Sequence, residues 1–330
     1  MQVFLWMMDE RRLCNVRRLW RTDQKRFPSN SPSPAYNTSM SRLHIDIPAL
    51  QRFVRDHPRL VVITGAGISA SSGIPTYRDR EGTWKHSAPI THQEFVSDPA
   101  RRQRYWSRSL LGWPVVRDAR PNAAHRALSA LEQLGHIDLL ITQNVDRLHQ
   151  RAGSAKVVDL HGRVDQVRCM ACRETTSRER VQQQLLRDNP HHSHQLSTPR
   201  PDGDAEVAAE LVATLIVPTC ERCDGELIPD VVFFGGSVPK TRVAQCNEAV
   251  ATADAVLAVG SSLQVFSGYR FCRLAGQLGK PLAIINPGGT RADSLAGLKL
   301  LSDCEPLLQA LAADISGDGV LTPFAGDSPS

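Results

Sequence analysis

Residues 59–73 read RLVVITGAGISASSG, a short apolar run that breaks into glycines. A run of this length with a Gly-rich exit suits a strand buried on both faces of a parallel sheet. Gly65 and Gly67 let backbone approach a pyrophosphate, and Ala70 fills the last position of G-x-G-x-x-A. A dehydrogenase would add an acidic residue at the end of a second strand about twenty residues on. That region is instead GIPTYRDREGTWK (73–85), a Pro- and Arg-containing loop. The sequence therefore predicts a phosphate-binding turn without hydride transfer.

Outward from this run, further strand candidates are IDLLITQNV (137–145), KVVDLHG (156–162), DAVLAVGSS (254–262) and PLAIIN (281–286). Helical spacing fills ALQRFVRDH (49–57) before the first strand, and AHRALSALEQLG, TRVAQCNEAVATA, YRFCRLAGQLG and CEPLLQALAA between and after the others. Strands alternating with such helices imply right-handed crossovers and an α/β fold, a Rossmann-like doubly wound parallel sheet. No internal repeat is visible. The polar stretch 173–219 breaks the alternation and reads as an insertion outside the sheet. The expected division is a Rossmann-like domain over 41–160 and 233–315, a small metal-binding module with its polar insert over 161–232, and a flexible tail over 316–330.

The net charge of +5 is concentrated at one end. Residues 1–26 hold seven Arg or Lys against Asp9, Glu10 and Asp23, leaving 32 basic and 31 acidic residues elsewhere. A nucleic-acid footprint would charge the folded body, so none is expected. No apolar run approaches the roughly 20 residues of a membrane span. The Arg-rich residues 1–40 read as a disordered extension, or as chain upstream of a start at Met40. A cytoplasmic location follows, with the mitochondrial matrix as the alternative if that stretch is a transit-type leader. Oligomeric state is left open.

Four of the eight cysteines form two C-x-x-C pairs, Cys169/Cys172 and Cys220/Cys223. In a chain this long without a secretory signal, the pattern favours reduced thiols and metal ligation. Four thiolates suit a closed tetrahedral zinc site, one ion with a structural role and no open position for water. Because 47 residues intervene between the pairs, an insert must loop out. His191, His192 and His194 fall in that insert and are not needed to complete the shell. His161, eight residues ahead of Cys169, is likewise not needed. It belongs with Gln143, Asn144 and Asp146, since ITQNVDRLHQRAG and DLHG both fall at strand ends, where open α/β sheets bind ligands. A single histidine is more often a satisfied core residue, but four polar groups beside a nucleotide turn point to function.

GAGIS–SGIPTYRD, TQNVDRLH–AG, LHG, the paired C-x-x-C motifs, VVFFGG–VP, GSSLQV and IINPG occur in the order of the sirtuin family, and the chain resembles that family over about residues 45–310. SGYRF, TRADSLAGLKL and the long insert resemble its class II branch, which includes a mitochondrial animal member. The resemblance implies a protein-lysine deacylase with NAD as co-substrate, acting on acylated-lysine protein substrates. It places Gly65, Ala66 and Gly67 at the pyrophosphate and Thr76, Tyr77, Arg78 and Asp79 on a mobile loop above it. Gln143, Asn144 and Asp146 would position the nicotinamide riboside, Asn144 and Asp146 also serving catalysis. Gly260, Ser261 and Ser262 would meet the adenosine side, Asn286, Pro287 and Gly288 its ribose, and Cys304 the region of the adenine.

In the reaction so implied, the acyl oxygen of a modified lysine attacks the anomeric carbon as nicotinamide leaves. His161 then takes a proton from a ribose hydroxyl, a task suited to imidazole. The products are lysine, nicotinamide and O-acyl-ADP-ribose. Val231, Phe233, Phe234 and Gly235 would offer an edge to which substrate adds as a strand; family members often carry Glu where this chain has Gly236. Alternatives are a protein mono-ADP-ribosyltransferase and a non-catalytic NAD-binding zinc module. Tyr105 and Arg108, three apart in RYWSRSLLGW (104–113), fall where the family lines its acyl pocket. The reading adopted has Tyr105 packed, Arg108 solvated, and acetyl or longer apolar acyl groups preferred over acidic ones.

Overall fold

A computed structural model describes residues 47–79, 83–85, 89–192, 199–205 and 207–315. The leader-like stretch 1–40 and the tail 316–330 lie outside the described residues. Six parallel strands form the main sheet: β1 (Leu60–Thr64), β2 (Ile137–Thr142), β3 (Val157–Asp159), β9 (Ala255–Val259), β10 (Leu282–Ile285) and β11 (Leu298–Leu300). Their spatial order, β11-β10-β9-β1-β2-β3, reverses direction between β1 and β9. A crevice opens at such a reversal, beyond the carboxyl ends of both strands.

The central strands are apolar because both their faces are covered. Leu60, Val61, Val62 and Ile63 are fully buried, and each such side chain contributes about 1.5–3 kcal/mol relative to exposure. Alternation sends Leu60 and Val62 to one layer, with α1 (47–56), α4 (Ala123–Gln133) and α10 (Cys304–Ile315). Val61 and Ile63 face the other layer, with α8 (Lys240–Thr252) and α9 (Phe266–Gln277). This is the doubly wound architecture the alternation predicts.

The smaller body is built round an antiparallel sheet of β5 (Thr175–Ser177), β4 (Gly162–Cys169) and β8 (Leu227–Val231). The insert adds α6 (Arg178–Asp188), the two-stranded pair β6 (Pro199–Arg200) and β7 (Asp204–Ala205), and α7 (Ala209–Thr214). A short helix, α5 (Leu148–Arg151), follows the TQNVD loop, while α2 (His92–Ser97) and the long α3 (Pro99–Asp118) precede α4. Here the structure departs from the expected division. Helix α3 lies within 41–160, yet Trp106 and Leu110 pack with Val167, Val181, Leu185 and Leu227 of the smaller body. Its start is firmly set: Pro99 occupies the first turn, and the Asp98 carboxylate accepts from the N–H groups of Ala100 and Arg101. Among the described residues, no helix is long and apolar enough to cross a membrane.

Candidate functional site

The loops that follow β1, β2, β9 and β10 border one cleft of about 1170 Å³ at the carboxyl edge of the sheet. Two of them meet back to back. A side chain on Gly67 would begin 2.7 Å from the Gly260 carbonyl oxygen, and one on Gly260, whose φ is +59°, would begin 2.5 Å from the Ile68 nitrogen. These glycines therefore let the two loops touch, which leaves the outer backbone of both facing the cleft. Gly65, Ala66, Gly67, Gly260, Ser261 and Ser262 all line it, as do Asn286, Pro287 and Gly288. Cys304, at the start of α10, lines the same end with its thiol 3.8 Å from the Gly67 carbonyl; burial pushes that thiol up to about 12.

Thr76, Tyr77, Arg78 and Asp79 form the facing wall. Lys85 donates to the Thr76 hydroxyl at 2.7 Å, and the Arg78 guanidinium stacks 3.9 Å over Trp84. Tyr77 and Trp84 both meet the Phe234 ring edge to face. Phe234 thereby ties this wall to the VVFFGG segment, and Val231, Phe233 and Gly235 also line the cleft. That segment is a strand only as far as Val231. Beyond it, Val232 donates to the His161 carbonyl at 2.7 Å, and His92 donates to the Phe234 carbonyl at 2.8 Å.

His161 stands between β3 and β4. Its Nδ1–H donates to the Gln143 carbonyl at 3.0 Å, so in the neutral ring Nε2 carries the lone pair. Nε2 accepts from the Ser267 hydroxyl at 2.7 Å. Burial pushes the imidazole below its ordinary range, the Gln143 hydrogen bond opposing. A histidine so placed is neutral near pH 7 and presents a base to the cleft. Gln143 is oriented in turn: its amide donates to Ser261 at 2.7 Å and to the Thr64 carbonyl at 3.1 Å.

Asn144 and Asp146 separate from each other in role. Asn144 lines the cleft, donating to the Gly65 carbonyl at 3.2 Å and to Ser69 at 3.0 Å. Asp146 does not line it. Its carboxylate lies behind Ser69, accepting from that hydroxyl at 2.7 Å and from the Leu148 N–H at 2.9 Å. Burial pushes Asp146 above the usual carboxylate range, with both hydrogen bonds opposing. Asp146 thus supports the site through Ser69.

Beneath Ser69 lies a polar network that the motifs did not single out. Asn122 caps α4 through the N–H groups of Ala124 and His125 and donates its amide to the Ile68 carbonyl and the Ser71 and Ser72 hydroxyls. His125 and His149 pack ring to ring at 4.8 Å, and His149 Nε2 lies 2.9 Å from the Thr64 hydroxyl. Burial pushes His125 down to about 4. The consequence for stability has a definite sign. Above about pH 6.5 this histidine is neutral folded or unfolded; below it the unfolded chain gains a proton that the folded chain refuses until about pH 4. Folding stability is therefore expected to fall by up to about 3 kcal/mol as pH drops through that window. Urea unfolding at pH 7 and pH 5 checks this: His125→Asn should lessen the dependence without abolishing it, since burial also pushes His149 and His161 below the ordinary range, and an unchanged dependence would assign it to those two.

The four cysteines converge as their spacing predicts. Cys169 ends β4, and all four sulfurs lie within 4.8 Å of one another, with 3.6 Å for Cys169–Cys223 and 3.7 Å for Cys172–Cys220. A tetrahedron with Zn–S bonds of ~2.3 Å has edges of ~3.8 Å, so the cluster fits one zinc ion. The two turns are alike: each pair is followed by a residue at positive φ, Arg173 (66°) and Asp224 (56°). His192 is turned away, bonded to the Leu211 carbonyl at 2.9 Å. His161 is not among the clustered ligands.

At the opposite end of the cleft, the expectation of a solvated Arg108 is corrected. Its side chain is 16% exposed and ion-paired with Asp204 at 2.5 Å, while its Nε donates to the Ala205 carbonyl at 2.8 Å. Gly112 makes this possible. A Cβ there would begin 2.4 Å from the Asp204 backbone, so its absence lets the insert lie directly on α3, one turn beyond Arg108. Tyr105 packs as expected, edge to face against Phe95, Trp106 and Phe233. Burial pushes its phenol up to about 12.

A model of the Sir2 family matches residues 65–267. The chain is 52% identical over 265 residues to an NAD-dependent protein deacetylase of Xanthomonas campestris pv. campestris (strain 8004), covering 80% of this chain and 89% of that one. It is 49% identical to an NAD-dependent protein deacetylase of Bordetella bronchiseptica, covering 80% and 96%. Among solved structures, a Sir2 protein with a p53 peptide and NAD+ superposes with a TM-score of 0.64 at 28% identity, covering 82% of this chain and 98% of that one.

Proposed function

The chain belongs to the Sir2 family, and on that premise we propose that its cleft deacylates protein lysines with His161 as the proton acceptor. It is an NAD-dependent protein deacetylase whose four-cysteine cluster holds a structural zinc ion. NAD supplies an electrophilic anomeric carbon and nicotinamide as its leaving group. The residues of this chain do the rest. The backbone of 65–67 would face the pyrophosphate and that of 260–262 the adenosine side, while Asn144, braced by Ser69 and Asp146, would fix the position of the riboside. His161 accepts a hydroxyl proton at Nε2, from which Ser267 can turn away as the substrate hydroxyl arrives.

The observation that carries this reading is the pair of hydrogen bonds on His161. The Gln143 carbonyl fixes the tautomer, and the lone pair of Nε2 points at a hydroxyl. Mass spectrometry of an acetyl-lysine peptide with NAD tests it. Loss of the acetyl mass with release of nicotinamide supports deacylation; ADP-ribose added to protein without acyl loss would make the chain a mono-ADP-ribosyltransferase.

The acyl group preferred is acetyl or a longer apolar chain. Arg108 faces the cleft, but its guanidinium already holds Asp204. A carboxylate-ended chain would have to displace that acid or lie beside it, and like charges brought together cost affinity. Asp204→Asn is expected to raise the succinyl-to-acetyl ratio of kcat/KM about tenfold, a gain that Arg108→Ala removes. A wild-type enzyme that prefers succinyl or glutaryl peptides, and loses the preference with Arg108→Ala, would reverse this assignment.

A further inference from the structure

Next to the cleft, three arginines crowd one exposed aromatic ring. The guanidinium carbons of Arg270, Arg273 and Arg291 lie 5.2, 5.1 and 5.8 Å from the Phe266 centroid, and Arg291 also stacks 4.5 Å over Tyr269. Phe266 is 39% exposed. Arg270 and Arg273 make no ion pair among the described residues, and the Nε of Arg270 is buried without a hydrogen-bond partner. Asp293, two residues beyond Arg291, is already engaged by Lys299 and Thr290. Three like charges held this close repel one another, and ring contacts offset only part of that cost. The arrangement is therefore matched to anions arriving from outside.

The patch is continuous with the site. Arg291 donates from its backbone to the Ser262 carbonyl at 2.9 Å and from its side chain to the Gln264 carbonyl at 3.1 Å. Ser262, Gln264 and Val265 line the cleft, and Val265 is the N-cap of the helix that Phe266 begins. Phe266 directly follows Val265 in the chain, so the ring stands at the rim of the cleft that would hold the acyl-lysine, on the path of residues flanking it.

We propose that Arg270, Arg273 and Arg291 around Phe266 form a docking surface for acidic residues flanking the acyl-lysine of the substrate protein. This rests on the deacetylase reading and extends it from the lysine to its sequence context. Exposed pairs are individually weak, but three charges acting on one acidic segment give roughly a tenfold effect at low salt. It is carried mainly by KM and screened by salt, because encounter and not chemistry is affected.

The test compares peptides with one acetyl-lysine flanked by glutamates, by glutamines or by lysines, in the full-length zinc-loaded protein. The expected order of kcat/KM is glutamate, glutamine, lysine, collapsing at high salt and inverting in Arg270→Glu/Arg273→Glu. Arg273→Gln, which removes one exposed charge, is the milder second variant and should shrink the preference even if the double variant does not fold. Equal turnover of the three peptides, or a glutamate preference that survives Arg273→Gln undiminished, overturns the docking surface while leaving deacetylation intact. Absence of acetyl loss from every peptide would instead strike at the deacetylase reading.

Discussion

His161→Ala is expected to keep its zinc and its fold while deacetylation falls roughly 10²- to 10⁴-fold, the usual weight of a general base. The imidazole is half-buried at the cleft wall, and its two nitrogens are bonded to Gln143 and Ser267. Removing it deletes the lone pair without touching a cysteine. The pH profile carries an independent signature. A base works in its neutral form, and burial holds this one below its ordinary range, so the acid limb of kcat/KM should lie below about pH 6.5. In His161→Ala that limb should disappear along with the rate. A variant that instead loses zinc would make His161 a ligand and undo the separation between site and scaffold.

Cys220→Ser is expected to release the metal and to unfold the smaller body. The thiolates converge from two turns separated by the whole insert, and metal affinity in such sites is folding free energy, with about 10–16 kcal/mol of apparent binding in small zinc modules. Cys220 and Cys169 also contribute to the apolar cluster that includes Trp106, Leu110 and Leu227. Losing the ion should therefore loosen α3 and the wall of the cleft it supplies. One zinc per chain by elemental analysis, falling to none in the variant with a lowered melting temperature, is the result expected. A metal-free Cys220→Ser protein of unaltered stability and activity would show the cluster to be dispensable.

What could be read from the sequence was local. The apolar run and glycine exit of 59–67, the two C-x-x-C pairs and the polar strand ends each carry their signal within a few residues. What escaped was set by distance along the chain. Ser267 meets His161 across 106 positions, and no spacing rule links a serine at the start of one helix to a histidine after another strand. Asp146 stood in the right motif, but its motif does not tell a group that touches the ligand from one that braces it. Asn122 and His125 carried a readable sign in the N-cap of α4, although the reach of Asn122 to the Ile68 carbonyl and of His125 Nε2 to the Ser69 hydroxyl, 3.5 Å away, depends on packing. Arg108 was misjudged because Asp204 comes from the insert, whose path over α3 depends on the missing side chain of Gly112.

The strand order has a consequence for the chain as it is made. The middle strand β1 pairs with β2 on one side and with β9 on the other, and the contact from Arg59 to Asp254 spans 195 positions. At ~5–20 residues per second of synthesis, that second neighbour emerges ~6–24 s after the first. Throughout that interval one edge of a strand apolar from Leu60 to Ile63 has no partner, a surface prone to pairing with other chains. A ribosome stalled before Ala255 would leave that edge open indefinitely. Such nascent chains are expected to be held by chaperones or to aggregate, whereas release beyond Val259 closes the sheet from within.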